Sequence, residues 1–91
     1  MTINYRTSDG QADYQFSFER LGPEEWRAYI VWQPSYAGRS EDPNTIHRLT
    51  YGGRKYVCWD RPLKSEADAR QVAGEWADRT QEYIRSGRLF S

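Results

Sequence analysis

His47 and Cys58 are the only histidine and the only cysteine in the chain, and they are the pair best suited to nucleophilic chemistry. A thiol beside an imidazole loses its proton more readily and becomes a nucleophile. Gly52-Gly53 lies between them. A two-residue turn there would set His47 opposite Cys58 across a hairpin. A working dyad also needs a group that orients the base, or a helix N-terminus at the thiol, and the flanking sequence offers neither. The expectation is a structural pair within a sheet. One His and one Cys among scattered carboxylates fall short of the ligand number and spacing of a zinc site. Glu24-Glu25 and Glu41-Asp42 are adjacent carboxylates. Acid–base work requires surroundings that separate two pKa values, and both pairs sit among turn residues. No P-loop, GxGxxG or GxSxG pattern occurs. No catalytic residue, metal or cofactor is therefore expected.

The second chemistry on offer is recognition by arginine and aromatic rings. Aromatic residues make up 15% of the chain, with four Trp and seven Tyr. Trp, Tyr and Arg dominate the energetics of protein interfaces, and the same rings stack on bases. The formal charge is zero, from 13 basic and 13 acidic residues, which argues against binding nucleic acid through overall charge. The charge is uneven, however. Residues 35–64 carry six basic and three acidic groups, a net +3. The candidate partner-binding residues are Arg27, Tyr29, Val31, Tyr36, Arg39, Arg48, Lys55, Val57 and Trp59.

The elements that must position these residues follow from local pattern. Residues 65–86 form the clearest one, an amphipathic helix. Ala69, Val72, Ala73, Trp76, Thr80, Tyr83 and Ile84 fall within an arc of about 120° at 100° per residue, the width of a core-facing stripe. Ser65 with Asp68 reads as an N-cap and capping box. Gly87 stands where a C′ glycine belongs. Gly74 falls about 140° from the stripe centre, so it is expected to face solvent. Tyr14 to Leu21 alternates Tyr14, Phe16 and Phe18 with polar residues, as a half-buried strand does. Gly22-Pro23 turns the chain. Trp26 to Gln33 is rich in aromatic and β-branched residues on both faces and reads as a central strand, ended by Pro34. Ile3 and Tyr5 offer a further short strand, and Asp9-Gly10 a turn.

Residues 34–44 have no period and every breaker residue, a long connection for so small a domain. Tyr36 and Arg39 stand near its tip. Thr45 to Asp60 reads as two strands around Gly52-Gly53. A type I′ turn there sets Tyr51 opposite Arg54, Leu49 opposite Tyr56 and Arg48 opposite Val57. On this register Leu49, Tyr51, Tyr56 and Cys58 are expected on the core face, beside Tyr14, Phe16, Phe18, Trp26, Ala28, Ile30 and Trp32. Leu63 is expected near the first helical turn, while Leu89 and Phe90 are left free to dock.

The predicted fold is α+β and two-layer: an antiparallel meander of four strands, five with the N-terminal one, under one C-terminal amphipathic helix. The 91 residues make a single small domain, 1–91. One helix covers one face, so Arg27, Tyr29, Val31, Arg48, Lys55, Val57 and Trp59 are expected on the open one. This points to a small non-enzymatic binding or adaptor module acting through protein–protein contact, with homodimerisation included. The alternative is a nucleic-acid-binding domain using the hairpin at 45–64. The plan is similar at fold level to plant-type and integrase-type sheet DNA-binding domains, which would give the groove-reading part to Arg27, Arg48, Lys55 and Trp59. The N-terminal residues have no apolar run and no window approaches a membrane span, so neither a secretory signal nor a membrane is expected. A lone cysteine fits a reducing compartment, and the expected location is cytoplasmic.

Overall fold

The computed structural model describes residues 2–90. Five strands and two helices follow in order: β1 (Thr2–Arg6), β2 (Asp13–Gly22), β3 (Glu25–Trp32), α1 (Pro43–Ile46), β4 (Arg48–Tyr51), β5 (Arg54–Val57) and α2 (Glu66–Ser86). The strands form one antiparallel sheet in the order β1-β2-β3-β5-β4, with α2 against β2 and β3 on one face. The α+β, helix-on-sheet architecture is the one the sequence predicts.

α2 begins and ends as its caps dictate. The Ser65 hydroxyl accepts the amide of Asp68 at 3.0 Å, which satisfies one of the helix's orphan donors. The Asp68 carboxylate is pulled back onto Arg61, at 2.6 and 2.8 Å, and onto the Lys64 amide at 3.1 Å. At the other end Gly87 takes a left-handed φ of 80° and returns its amide to Tyr83 O. The buried face of α2 carries the expected Ala69, Val72, Ala73, Trp76, Thr80 and Tyr83, plus Ala77 and Gly74. Ile84 is only half-buried. Gly74 does not face solvent. It is buried beneath Tyr5 of β1, because β1 widens the sheet to that flank. The Asp78 carboxylate holds β1 there, accepting the Tyr5 hydroxyl at 3.0 Å and the Ser8 amide and hydroxyl at 2.8 and 2.7 Å.

The main core lies between α2 and the strands. Trp76 is fully buried and meets Tyr14 and Phe16 edge-on, at centroid distances of 5.9 and 6.1 Å. Its indole N–H donates to Ile46 O at 2.9 Å, so the one polar atom of the ring is satisfied. Ala28, Val57 and Leu63 complete this core, with Trp26, Ile30 and Trp59 packed around it.

Three further sequence expectations change. Thr45 and Ile46 are not strand. They lie in α1, which Asp42 caps by accepting the Asn44 amide at 2.8 Å, with Pro43 at its start. Asp-Pro is a helix-starting pair as well as a loop signal. Next, Trp32 leaves the core face. A bulge shifts the β2–β3 register so that Trp32 pairs with Gln15, and two consecutive residues then lean to the same side.

The third change concerns the last hairpin. Gly52 and Gly53 have φ of 58° and 79°, the doubly positive geometry of a type I′ turn. The register is the expected one, Arg48 with Val57 and Leu49 with Tyr56. Its faces are exchanged, and the order is not a simple meander: β5 rather than β4 stands beside β3, in a register that sets Lys55 opposite Ile30. Tyr56 pairs with Tyr29, so Leu49 and Tyr56 lie on the face away from α2, while Val57 and Trp59 join the core.

Candidate functional site

Each strand contributes alternate side chains to the face away from α2. β2 gives Ser17 and Glu19, β3 gives Arg27 and Tyr29, β5 gives Arg54 and Tyr56, and β4 gives Leu49 and Tyr51. Arg27 stands at the centre. Its guanidinium carbon lies 4.1 Å from the centroid of Tyr56, 5.6 Å from that of Tyr51 and 5.7 Å from that of Tyr29. One nitrogen donates to the Tyr29 hydroxyl at 3.2 Å. Partial burial works against the charged form of Arg27, but the bond to Tyr29 and the neighbouring Tyr29, Tyr56 and Glu25 outweigh it, so its pKa lies above the ordinary arginine value.

Arg54 flanks the cluster, 3.7 Å over the Tyr29 ring, and its charge is paired with Glu19 at 2.6 Å. Tyr29 meets Tyr56 edge-on at 6.1 Å. The two arginines roof Tyr29, which is 5% exposed although no other element covers it. Around them the surface is apolar: Leu21 is 43%, Val31 51%, Leu49 38% and Tyr51 68% exposed. Two depressions border Arg27. One of about 640 Å³ is lined by Glu19, Leu21, Tyr29, Tyr51 and Arg54. The other, about 370 Å³, opens where β5 parts from β3 and is lined by Leu21, Trp26, Tyr56, Cys58 and Arg61. Apolar area rimmed by arginine, on an uncovered sheet, has the composition of an interface.

The structure brings together Arg27, Tyr29 and Val31 of the sequence-derived set. It places the others elsewhere. Tyr36 is buried edge-on against Tyr83, at 6.2 Å, in a second small core with Ile46. Arg39 donates to Ile84 O at 2.9 Å and so closes the C-terminus of α2. Arg48 keeps only 10% of its side chain exposed. It binds Gln33 and Glu41 at 2.8 and 2.9 Å and lies over Tyr36, tying the 34–44 loop down. Lys55 pairs with Ile30 and so projects, exposed, on the opposite side from Arg27. Val57 is core. Trp59 packs under Arg79 and lines a small cavity of about 170 Å³ with His47, Asp60 and Phe90.

Leu21, Leu49, Tyr51, Arg54 and Tyr56 are face residues outside the sequence-derived set; alternation within the hairpin alone assigns Leu49, Tyr51 and Tyr56 to the core face, and the structure overturns that. The available signal was the pair Val57 and Trp59: two apolar side chains two residues apart mark the buried side of β5, whereas Tyr56 carries a hydroxyl suited to an open one.

His47 and Cys58 are neighbours through the backbone, Cys58 N donating to His47 O at 2.8 Å. The imidazole stacks on Phe90 at 4.9 Å, and no hydrogen bond joins it to the thiol. Among the described residues no group of three or more His, Cys, Asp or Glu is placed to hold a metal ion, and no helix is long and apolar enough to cross a membrane. Compared with known protein families, with curated proteins and with solved structures, the chain finds no match.

Proposed function

We propose that this chain is a small, non-enzymatic binding module of the cytoplasm whose uncovered sheet face docks on another protein. The observation that carries the reading is the coincidence of exposed apolar side chains with a single face. Leu21, Val31, Leu49 and Tyr51 surround the Arg27–tyrosine cluster, and lone surface apolars need no such explanation whereas a contiguous patch does. Rings and guanidinium groups that are already stacked lose little freedom on binding, which favours affinity. The lone Cys58 supports a reducing compartment.

The alternative, a nucleic-acid interface on the hairpin, draws less support from this geometry. Arg48 is tied to Gln33 and Glu41, Arg54 is paired with Glu19, and Lys55 points to the other side. A row of free cations is what a phosphate backbone requires.

The test is affinity capture from the source cells with three versions of the full chain: wild type, Leu49→Arg on the face, and Leu89→Arg on the tail. A protein held by wild type and by Leu89→Arg, and lost with Leu49→Arg, supports the reading. Identical capture by all three, or none, overturns it. Sedimentation of the purified chain adds a further arm. A dimer dissolved by Leu49→Arg would transfer the face from a foreign partner to a second copy.

A further inference from the structure

We infer that the partner presents a carboxylate, an Asp or Glu side chain flanked by apolar residues, to Arg27. This rests on the docking reading above and names the chemistry of what docks. Among the described residues Arg27 is the arginine of the face that makes no ion pair, although Glu25 lies near enough to favour its charge. Among the described residues the Arg27 side chain makes a single hydrogen bond, to Tyr29, and no carboxylate lies within ion-pair distance. A guanidinium has five N–H donors in a planar fork. Stacking on Tyr56 at 4.1 Å occupies the flat side of the group and leaves edge donors for a ligand in its plane, the arrangement that suits bidentate capture of a carboxylate. The rings of Tyr29, Tyr51 and Tyr56 fix the guanidinium before any ligand arrives and displace part of its water, so a charge-assisted bond there is stronger than one to a free surface arginine.

The surroundings select among anions. Arg27 and Leu21 line both depressions, so a segment crossing the arginine would lay an apolar side chain in each hollow. A phosphorylated group calls for a cluster of cations, and here the neighbouring Arg54 is neutralised by Glu19 at 2.6 Å. A second copy is disfavoured by symmetry. A two-fold contact centred on this face sets Arg27 against Arg27, and of the nearby carboxylates Glu19 is engaged by Arg54 while Glu25 already lies close enough to its own Arg27 to favour the charge there. An acidic, apolar-flanked segment of another protein satisfies both the charge and the surface.

The experiment uses two displayed peptide libraries of about twelve residues, long enough to cross a sheet face. They are random except for a fixed central Glu in one and a fixed central Lys in the other. Both are selected on the immobilised full chain. The expected result is clones from the Glu library that bind about tenfold or more tightly than any from the Lys library, and that lose about tenfold in affinity with Arg27→Gln and with Leu49→Arg. Arg27→Lys should restore part of the loss, since it keeps the charge without the fork. Thermal melts confirm that the variants are folded. Clones sensitive to Leu49→Arg but indifferent to Arg27→Gln, or drawn equally from both libraries, would overturn the carboxylate while leaving the docking face intact. If no clone from either library responds to Leu49→Arg, both readings fall. Tight binding of random single-stranded RNA at low salt, lost with Arg27→Gln, would overturn the inference in favour of a phosphate backbone.

Discussion

Gly74 is the residue whose surroundings differ most from those its position on α2 implies. A Cβ added there would lie 3.3 and 3.4 Å from Cε1 and Cζ of Tyr5, tighter than ordinary van der Waals contact. The ring cannot swing away freely, because its hydroxyl is held by Asp78. At an exposed mid-helix site, Gly→Ala stabilises by about 1 kcal/mol. Here crowding opposes the gain. We expect Gly74→Ala to change stability by less than about 0.5 kcal/mol and Gly74→Val to cost about 2 kcal/mol, both read by urea denaturation. A full gain from alanine would mean that Tyr5 does not cover the helix. Gly87 presents a separate case. Its φ of 80° strains any residue with a Cβ, and that Cβ would come within 2.7 Å of Nη1 of Arg39. Gly87→Ala should cost about 1–2 kcal/mol. Gly87→Asn tolerates the left-handed backbone better but still meets Arg39, so it should recover only part of the loss. Full recovery would show that backbone strain acts alone. The C′ role of Gly87 was legible in the sequence because capping is local. The role of Gly74 was not, because it is set by a strand far away in the chain.

At the scale of elements, what was legible follows the same division. α2 declares itself through its stripe and caps, and the Gly52-Gly53 turn fixes the β4–β5 register. Which face that hairpin buries depends on its register against β3, where Tyr29 pairs with Tyr56 and Ile30 with Lys55. That choice is made by the 33–47 connection, whose folding rests on contacts distant in sequence: Trp76 Nε1 to Ile46 O, and the Tyr83 hydroxyl to Ser40 O at 2.9 Å. The start of α2 offers an electrostatic test. Hydrogen bonds from Arg61, then from the Lys64 amide, hold the Asp68 carboxyl at a pKa of about 2, below its ordinary 3.8. A carboxyl depressed on folding stabilises the native state fully above its unfolded value, and the contribution disappears as pH falls through the folded one. Wild type should therefore lose stability between roughly pH 4 and pH 2 more steeply than Asp68→Asn. The two curves should converge at the acid end. Parallel curves in an acid series of denaturant melts would dismiss the Arg61–Asp68 clamp.

At the scale of the whole molecule, the sheet has a buried side and an uncovered one, and the last hairpin decides how residues divide between them. Only part of the candidate face was legible, because Arg27, Tyr29 and Val31 follow from alternation along β3 alone. Leu49, Tyr51 and Tyr56 were lost because they depend on the register of β5 against β3. Truncation separates the two possible buried faces of the hairpin. Val57 is 4% exposed and belongs to the main core, so Val57→Ala removes two buried methyl groups and should cost about 2 kcal/mol. Leu49 is 38% exposed on the open face, so Leu49→Ala should cost less than about 1 kcal/mol despite removing more carbon. Were the hairpin shifted by one residue against β3, its faces would exchange and the ranking would reverse, Leu49 becoming the costly site. The comparison needs no ligand. Paired with the capture experiment, it also distinguishes a residue that holds the fold from one that holds a partner: Leu49→Arg should abolish docking at a melting temperature close to wild type, whereas Val57→Ala should lower the melting temperature and leave docking unchanged below it.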